Sequence, residues 1–338
     1  MKAYELDTGC TGLDGLRQVE RPDPRPGPGE ILVRMRAASL NYRDLAIISG
    51  KYFSGPVQAP LIPLSCGAGE VIATGAGVSR FEIGDHVSGT FFRNWIDGGP
   101  SAKEARPALG SPVDGVLAEL VVYNERDAVK LPPHLTFAQA SALPCAGVTA
   151  WHALMAAGSP LKPGQTVLVL GTGGVSMLAL QLAKAAGARV ICTSSNAEKQ
   201  KRALKLGADD TINYRETPNW AAAVMELTGG EGADCVVEVG GVGTLGQSMD
   251  AVAMGGKVCL IGVLTREGSP NPHALMLKGA SLHGIFVGHR TMFENMNAAI
   301  EVNKLEPAVD KIFDFDDAAA AYQHMLGQSH FGKVVISI

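Results

Sequence analysis

The sequence predicts an α/β protein in which a doubly wound parallel sheet is joined to a mainly β domain made from both ends of the chain. Three observations support this prediction. Residues 1–133 carry short β-like runs between turns rich in Gly and Pro, residues 134–289 alternate apolar strands with helical segments, and residues 290–338 return to short strands and helices. A chain of 338 residues is also longer than most single domains.

The first region is predicted to be mainly β. Its runs "EILVRMRAASL", "GAGEVIATG" and "GDHVSGTF" have the composition of strands and stand between turn signals such as "DPRPGPGE". Near the other end of the chain, "DKIFDF" and the closing "KVVISI" are strand-like again. We expect these last segments to pack on the first region, which makes that domain discontinuous.

The central region contains six candidate strands, most of them separated by a helical pattern. They are "TVLVLG", "ARVICTSS", "DDTINY", "ADCVVEVG", "GKVCLIGV" and "SLHGIFVG". Apolar strands that alternate with helices favour a parallel sheet with helices on both faces.

A glycine turn follows the first of these strands, in "VLVLGTGGVS". Gly171 permits a tight turn, and Gly173 lets the backbone approach a pyrophosphate at the positive end of the next helix. Ser176 stands where a third small residue is needed for close packing of helix and strand. This pattern alone also fits an ordinary strand-to-helix turn, but the strand before it and the helix and strand after it favour a Rossmann dinucleotide site.

The end of the second strand predicts which dinucleotide is bound. A carboxylate there would bind the 2'-hydroxyl of NAD, whereas this chain has Ser194, Ser195 and Asn196, with Lys199 one helical turn later. Neutral hydrogen-bonding groups and a cation suit a 2'-phosphate, so we expect NADP(H) to be preferred over NAD(H). The alternative is that these side chains only cap the following helix, and the two roles can coexist.

The composition indicates what kind of partner to expect. Charged residues make up 18% of the chain and the formal net charge is -4, which gives no basic surface for nucleic acid or an anionic membrane. A small-molecule substrate is therefore expected. The start "MKAYELDTGCTGLDG" lacks a signal-peptide pattern, no apolar stretch could span a bilayer, and the six cysteines form no C-x-x-C pair. These features predict a cytoplasmic protein with free thiols.

Several linked motifs, taken together, carry a resemblance to a known family. They are "SLNYRDLAIISGKY", "LIPLSCGAGEVIATGAGV", "GDHV", "ALPCAGVTAWHAL", "KPGQTVLVLGTGGVS" and "FGKVVISI". In this order they resemble the zinc-independent, quinone-oxidoreductase-like branch of the medium-chain dehydrogenase/reductase superfamily, over essentially the whole chain. The resemblance implies a GroES-like substrate domain from residues 1–133 and 290–338, a Rossmann domain over residues 134–289, and an active site in the cleft.

The zinc-dependent members of the superfamily bind their catalytic metal with two cysteines and a histidine that a glutamate follows. By resemblance, Asn41 replaces the first cysteine, Ser65 and Cys66 replace the His-Glu pair, and only Cys145 matches. Residues 87–122, where relatives hold a structural zinc, contain no cysteine. We therefore expect no metal at either place. The lone thiol of Cys66 is interpreted as a small buried group, with a reactive thiol beside the cofactor as the alternative.

Without zinc, hydrogen-bond donors must stabilise the negative charge that develops on the acceptor oxygen. The resemblance implies the catalytic candidates Asn41, Arg43, Tyr52 and Ser65. Arg43 has a second interpretation, in which it only pairs with Asp44 or Glu70.

The resemblance also implies residues around the cofactor. In chain order they are Thr149, Gly171, Thr172, Gly173, Gly174, Val175, Ser194, Ser195, Lys199, Tyr214, Gly240, Gly262, Val263, Phe286, Val287 and Lys333. The strand "SLHGIFVG" pairs with its twin across a two-fold axis in many relatives, so a homodimer is expected.

Phe91, Phe92 and Trp95 follow an early strand and allow two interpretations. They could line or cover the acceptor pocket, or they could fill the core of the β domain.

The sequence thus predicts a zinc-independent, NADP(H)-dependent reductase of a quinone, an α,β-unsaturated carbonyl or an activated ketone. One alternative is a metal-free, NAD(P)-dependent alcohol dehydrogenase that acts on an activated alcohol. Another is a protein that binds NADPH without catalysing a reaction.

Overall fold

A computed structural model describes residues 1–53, 55–104, 107–265 and 267–338. The chain divides into two compact units. Unit 1 consists of Met1–Val148 and Gly288–Ile338, and unit 2 is Thr149–Val287. The sequence analysis placed the domain boundaries after residues 133 and 289, and those boundaries stay a prediction.

Fifteen strands are defined within the described ranges. They are β1 (Lys2–Leu6), β2 (Leu16–Glu20), β3 (Glu30–Ser39), β4 (Cys66–Thr74), β5 (His86–Gly89), β6 (Leu120–Asn124), β7 (Ala128–Lys130), β8 (Thr166–Leu170), β9 (Arg189–Ser194), β10 (Asp210–Asn213), β11 (Ala233–Glu238), β12 (Val252–Leu260), β13 (Ser281–Gly284), β14 (Val309–Asp314) and β15 (Lys333–Ser337).

The helices are α1 (Tyr42–Ile48), α2 (Phe137–Ala140), α3 (Val148–Trp151), α4 (Gly174–Ala185), α5 (Ala197–Lys205), α6 (Trp220–Leu227), α7 (Val242–Ala251), α8 (His273–Lys278), α9 (Arg290–Asn303) and α10 (Ala318–Leu326). Short helical turns lie at Leu13–Gly15, Glu125–Asp127, Leu143–Gly147, His152–Ala156 and Phe315–Asp317. None of the helices in the described part of the chain has both the length and the apolar character needed to cross a membrane.

Unit 2 is built on a six-stranded sheet in the order β10-β9-β8-β11-β12-β13, and all its pairings are parallel. This order confirms the predicted doubly wound sheet. The strands are apolar because helices cover them, and Leu168, Ile191, Val236 and Val258 are fully buried. Since the strands are parallel, their carboxyl ends lie along one edge of the sheet. The chain adds strands outward from β8 on one side and from β11 on the other, so the point where the strand order reverses lies between β8 and β11.

Unit 1 contains a seven-stranded sheet, and the end of the chain completes it. The order is β14-β15-β3-β4-β5-β7, with β6 also paired to β3. Strand β15 runs antiparallel to β3, with Val335 opposite Ser39. The predicted discontinuous, mainly β domain is therefore confirmed, and its core includes the fully buried Tyr322 of α10.

The three aromatic residues after β5 fill the interior of unit 1. Phe91, Phe92 and Trp95 are each no more than 2% exposed. The rings of Phe91 and Phe92 meet edge to face at 4.7 Å, and the rings of Phe92 and Trp95 lie 5.7 Å apart. This packing fits the interpretation in which they fill the core, and a role in lining the acceptor pocket stays a prediction.

Candidate active site

The residues predicted to bind the cofactor lie, with two exceptions, where strands of unit 2 end. Gly171 follows β8, Tyr214 follows β10 and Gly240 lies two residues beyond β11. Gly262 and Val263 follow β12, and Phe286 and Val287 follow β13. The carboxyl edge of the parallel sheet thus gathers residues that are far apart in the sequence. The exceptions are Thr149 in α3 and Lys333, which lies in unit 1.

The glycine turn has the geometry that a phosphate site requires. Gly171 has a φ of +68°, a left-handed conformation that favours glycine. A Cβ atom at Gly171 or Gly173 would meet nothing within 4 Å, so both face open space. Gly173 is the N-cap of α4 and offers no side chain to cap it. The first N–H groups of this twelve-residue helix, from Gly174 and Val175 onward, are therefore available to an anion.

Ser176 does more than fill the place of a small residue. Its hydroxyl donates a hydrogen bond of 2.7 Å to the carbonyl of Leu170, and the side chain is 1% exposed. The Gly171 N–H donates to the Thr193 hydroxyl at 3.2 Å. These bonds fasten the turn to its own strand and to β9. Thr172, between the two glycines, is also buried.

The end of β9 carries neutral hydrogen-bonding groups. Ser194 is the last residue of the strand, and its hydroxyl accepts from the Asn196 N–H at 3.3 Å. Asn196 is the N-cap of α5 and accepts from the Lys199 N–H at 3.0 Å. The capping role is thus confirmed for Asn196, while Ser195 stays partly exposed just outside the helix. A cofactor role for Ser194, Ser195 and Lys199 stays a prediction.

Glu238 is a structural acid that the sequence reasoning missed. It ends β11, is fully buried, and accepts hydrogen bonds from the Gly240 and Gly241 N–H groups at 2.7 and 2.9 Å. Thr244 donates to it at 2.7 Å and Ser248 also donates to it. The carboxylate therefore fixes the loop at Gly240. An acidic residue at the end of an apolar strand, one residue before a pair of glycines, was the available signal.

A second group of predicted residues meets in unit 1 because of strand register. Near its carboxyl end, β3 pairs with β4 on one side and β15 on the other, so Ser39 lies opposite both Cys66 and Val335. Asn41, two residues beyond the strand, consequently lies close to the first residue of β4 and to Lys333, the first residue of β15.

Hydrogen bonds fix the Asn41 amide from both ends. Lys333, 3% exposed, donates from Nζ to Asn41 Oδ1 at 2.7 Å. Asn41 Nδ2 donates to Cys66 Sγ at 3.1 Å and lies 3.5 Å from Ser65 Oγ. The Asn41 backbone N–H donates to Asp44 Oδ2 at 2.7 Å, which anchors the start of α1. Because an ammonium group only donates, Lys333 determines that the amide nitrogen faces the thiol.

The titration of this cluster follows from the same contacts. Burial alone would raise the pKa of Cys66, but the Cys145 thiol, the Lys333 ammonium and the nearby donors lower that pKa to about 6. The hydrogen bond to Cys66, together with burial, raises the pKa of Cys145 well above its ordinary value. Burial raises the pKa of Asp44 to about 6, against the nearby Arg43 charge.

Arg43 is held mainly by backbone carbonyls. Its guanidinium donates to the carbonyls of Leu109 and Ser111 at 2.9 and 3.2 Å, and to the Tyr52 hydroxyl at 3.3 Å. Asp44 lies at 4.0 Å, the limit of an ion pair. Glu70 pairs instead with Arg36, at 3.3 Å.

Arg43 therefore binds and orients Tyr52. The guanidinium carbon also lies 5.0 Å from the centre of the Tyr52 ring and 4.7 Å from that of Phe91. Since Arg43 donates to the Tyr52 oxygen, the hydroxyl proton stays available to another acceptor.

The donors in this cluster do not suit zinc. Only Cys66 and Cys145 are soft ligands, and a tetrahedral zinc site needs further Cys, His or carboxylate donors. Among the described residues, no three His, Cys, Asp or Glu side chains come together as a metal site. The Lys333 ammonium, 2.7 Å from Asn41 Oδ1, would also repel a divalent cation.

Sequence reasoning missed two features of this cluster. It assigned Lys333 only to the cofactor, and it treated Cys66 as a lone thiol rather than an acceptor of the Asn41 amide. The family resemblance did offer a signal for the cluster, since it places Asn41, Ser65 and Cys66 at positions that lie around one catalytic metal in the zinc-dependent members.

Two family models match the chain. One, described as "Alcohol dehydrogenase GroES-like domain", matches residues 27–133. The other, described as "Zinc-binding dehydrogenase", matches residues 174–302.

Known proteins resemble the whole chain. A zinc-type alcohol dehydrogenase-like protein of Schizosaccharomyces pombe is 44% identical over 342 residues, covering 99% of each chain. A solved NAD-dependent alcohol dehydrogenase has a TM-score of 0.89 at 31% identity, with both chains covered completely. A quinone oxidoreductase of Pseudomonas syringae pv. Tomato DC3000 has a TM-score of 0.81 at 29% identity, covering 100% of this chain and 99% of the other. The chain is thus an oxidoreductase that belongs to the medium-chain dehydrogenase/reductase superfamily.

Proposed function

We propose that the protein is a zinc-independent, NADP(H)-dependent reductase that transfers hydride to a quinone, an α,β-unsaturated carbonyl or an activated ketone. The observation that carries the proposal is the Asn41 amide, whose nitrogen is turned away from Lys333 by a 2.7 Å bond at Oδ1. One amide hydrogen is bound by Cys66. Among the described residues, the other amide hydrogen has the long 3.5 Å contact to Ser65, so Asn41 can donate it to an acceptor oxygen.

Unit 2 fits a nicotinamide dinucleotide, which supplies the hydride when it is bound. The open backbone at Gly171 and Gly173 and the uncapped start of α4 suit its pyrophosphate. The hydroxyls of Ser194 and Ser195, with the Lys199 cation, suit a 2'-phosphate. The remaining residues proposed to line this cofactor are Thr149, Thr172, Gly174, Val175, Tyr214, Gly240, Gly262, Val263, Phe286, Val287 and Lys333.

The donor set of unit 1 favours electron-poor acceptors. A quinone or enone accepts hydride at carbon, and its oxygen needs only hydrogen bonds as charge develops there. We assign Asn41 and Ser65 to bind that oxygen and Tyr52 to donate a proton, with Arg43 orienting Tyr52. Oxidation of an unactivated alcohol requires that the pKa of its hydroxyl be lowered, as a bound metal would do. Asn41 and Lys333 are not placed to lower that pKa.

Oxidation of an activated alcohol is the second candidate function, and the alcohol dehydrogenases among the similar proteins favour it.

We also propose that the chain is a homodimer, because β13 ends the sheet of unit 2 and could pair with a second copy. Sedimentation equilibrium should give twice the mass of 35.2 kDa. A single-chain mass at micromolar concentration would refute the dimer.

The reaction is tested by supplying NADPH with quinones, enones and aldehydes, and NADP+ with alcohols, each with and without a strong chelator. We expect NADPH oxidation with quinones or enones that the chelator leaves unchanged. Alcohol oxidation that the chelator abolishes would contradict the proposal.

In the same assay, the Asn41→Ala variant should lose about 100-fold in kcat/KM, since removing one oxyanion donor has that order of effect. Tyr52→Phe should lower kcat, whereas Tyr42→Phe, at a 40% exposed tyrosine on the same segment, is the matched control. If Asn41→Ala and Tyr52→Phe both kept full activity, the assignment of the acceptor site would be wrong.

Cofactor preference is tested with Ser195→Asp. The new carboxylate should repel a 2'-phosphate and bind a 2'-hydroxyl, which moves the ratio of the two dissociation constants at least about tenfold toward NADH. Cofactor fluorescence titrations measure both constants, and Ser195→Asn is the uncharged control. A wild-type protein that binds NADH as tightly as NADPH would remove the proposed preference.

A further inference from the structure

Two loops at the carboxyl edge of the unit 2 sheet are joined to one another around Glu238. The first loop connects β11 to α7, and the second loop follows β12. The Glu238 carboxylate accepts from the Gly240 and Gly241 N–H groups of the first loop at 2.7 and 2.9 Å. Its backbone carbonyl accepts from the Ile261 and Gly262 N–H groups of the second loop at 2.9 and 3.0 Å. One residue therefore holds both loops.

Neutral donors surround this buried carboxylate. Glu238 is 0% exposed. Its Oε1 accepts from the Thr244 hydroxyl at 2.7 Å as well as from the two glycine N–H groups. Its Oε2 accepts from the Ser248 hydroxyl. Because a buried carboxylate is costly unless hydrogen bonds satisfy it, the first loop must keep the arrangement in which all four donors face Glu238.

Thr265 makes a second connection between the loops. Its hydroxyl accepts from the Gly243 N–H at 2.8 Å and donates to the Gly240 carbonyl at 2.9 Å. Its backbone N–H donates to the same carbonyl at 2.9 Å. The loops also touch at Gly262, where an added Cβ would meet the Val239 carbonyl oxygen at 1.7 Å. The two loops therefore form one closely packed wall.

We propose that Glu238 and Thr265 are positioning residues that hold these two loops in the shape that binds the nicotinamide half of the cofactor. The inference rests on the part of the proposed function that places a dinucleotide at this edge, and it does not depend on the hydride acceptor. Gly240, Gly262 and Val263 of these loops are among the residues proposed to line the cofactor, and Glu238 and Thr265 give their backbone its shape.

The strand order indicates which half of the cofactor lies at these loops. In the proposed site, the pyrophosphate lies at the glycine turn after β8, and the 2'-phosphate lies at the end of β9, on one side of β8. A dinucleotide bound where the strand order reverses extends to both sides of that point. Its nicotinamide half therefore lies over the ends of β11 and β12, on the other side of β8. Loops already held in the bound shape reduce the entropy cost of binding.

The experiment measures nucleotide binding to the full-length protein by isothermal titration calorimetry. The probes are NADPH, NADH and adenosine 2',5'-bisphosphate, which carries the adenosine and the 2'-phosphate but no nicotinamide. Thr265→Val removes both hydrogen bonds of the hydroxyl at nearly the same side-chain size, and Thr265→Ser keeps the hydroxyl as the matched control. We expect Thr265→Val to raise the Kd of NADPH and of NADH by the same factor, at least about fivefold. The Kd of the bisphosphate should not change, and Thr265→Ser should bind all three probes as the wild type does.

Variants of Glu238 test the carboxylate. Glu238→Ala leaves four buried donors without their acceptor, so it should raise the Kd of both dinucleotides at least about tenfold. Glu238→Gln should stay within about threefold of the wild type, because its amide oxygen can accept the three bonds made to Oε1 and its NH2 group can donate to the Ser248 hydroxyl. Glu238→Gln protein that binds as weakly as Glu238→Ala would contradict the hydrogen-bonding role.

Melting curves of the nucleotide-free variants separate a positioning role from a merely structural one. A structural role would lower the melting temperature and leave the Kd values of the folded protein unchanged. Because Thr265 is exposed, its variants should fold even where Glu238→Ala does not. Folded Thr265→Val protein that binds NADPH as tightly as the wild type, or that loses as much affinity for the bisphosphate as for NADPH, would overturn this inference alone. A wild-type protein that binds neither dinucleotide would refute the proposed function, and this inference with it.

Discussion

The hydrogen bond from Lys333 to the Asn41 amide is the constraint on which the site in unit 1 depends. An ammonium group can only donate, so it must face Oδ1, and the amide nitrogen must then face Cys66. The same cation stabilises negative charge on the thiol. A lysine buried to 3% exposure would be costly without partners, but here the Leu40 carbonyl and Asn41 accept from it. One buried cation therefore sets the orientation of a donor and contributes to the lowered pKa of the Cys66 thiol.

The sheet of unit 2 was predictable because its signals are local. Each strand is an apolar run, and the turn with Gly171 and Gly173 follows the first of them. The apolar pattern and the glycines therefore locate the glycine turn in the sequence. The bond from Ser176 to the Leu170 carbonyl was not predictable, since it depends on how the helix packs on its strand. Glu238 was missed for a similar reason, because its four donors come from a loop and a helix that the sequence only outlines.

The site in unit 1 depends on contacts between distant parts of the chain. Asn41 and Lys333 are 292 residues apart and meet only because β15 pairs antiparallel with β3. Spacing in a sequence does not give the register of such a pairing, so Lys333 was assigned to the cofactor alone. Cys66 was interpreted as unreactive because a lone cysteine is usually a small buried side chain. It is buried, but the donors around it are what give the thiol its acidity.

A thiolate titration of the folded protein tests this account most directly. The ultraviolet absorbance of thiolate is followed against pH in the wild type, Cys66→Ser and Lys333→Met. We predict one thiolate that forms as the pH rises through about 6 in the wild type, because the pKa of Cys66 is lowered to that value. It should be absent in Cys66→Ser and should form at higher pH in Lys333→Met. A folded Lys333→Met protein whose thiolate forms at the wild-type pH would contradict the role given to Lys333. A wild-type protein without thiolate below the ordinary cysteine range, about pH 8 to 9, would contradict the lowered pKa of Cys66.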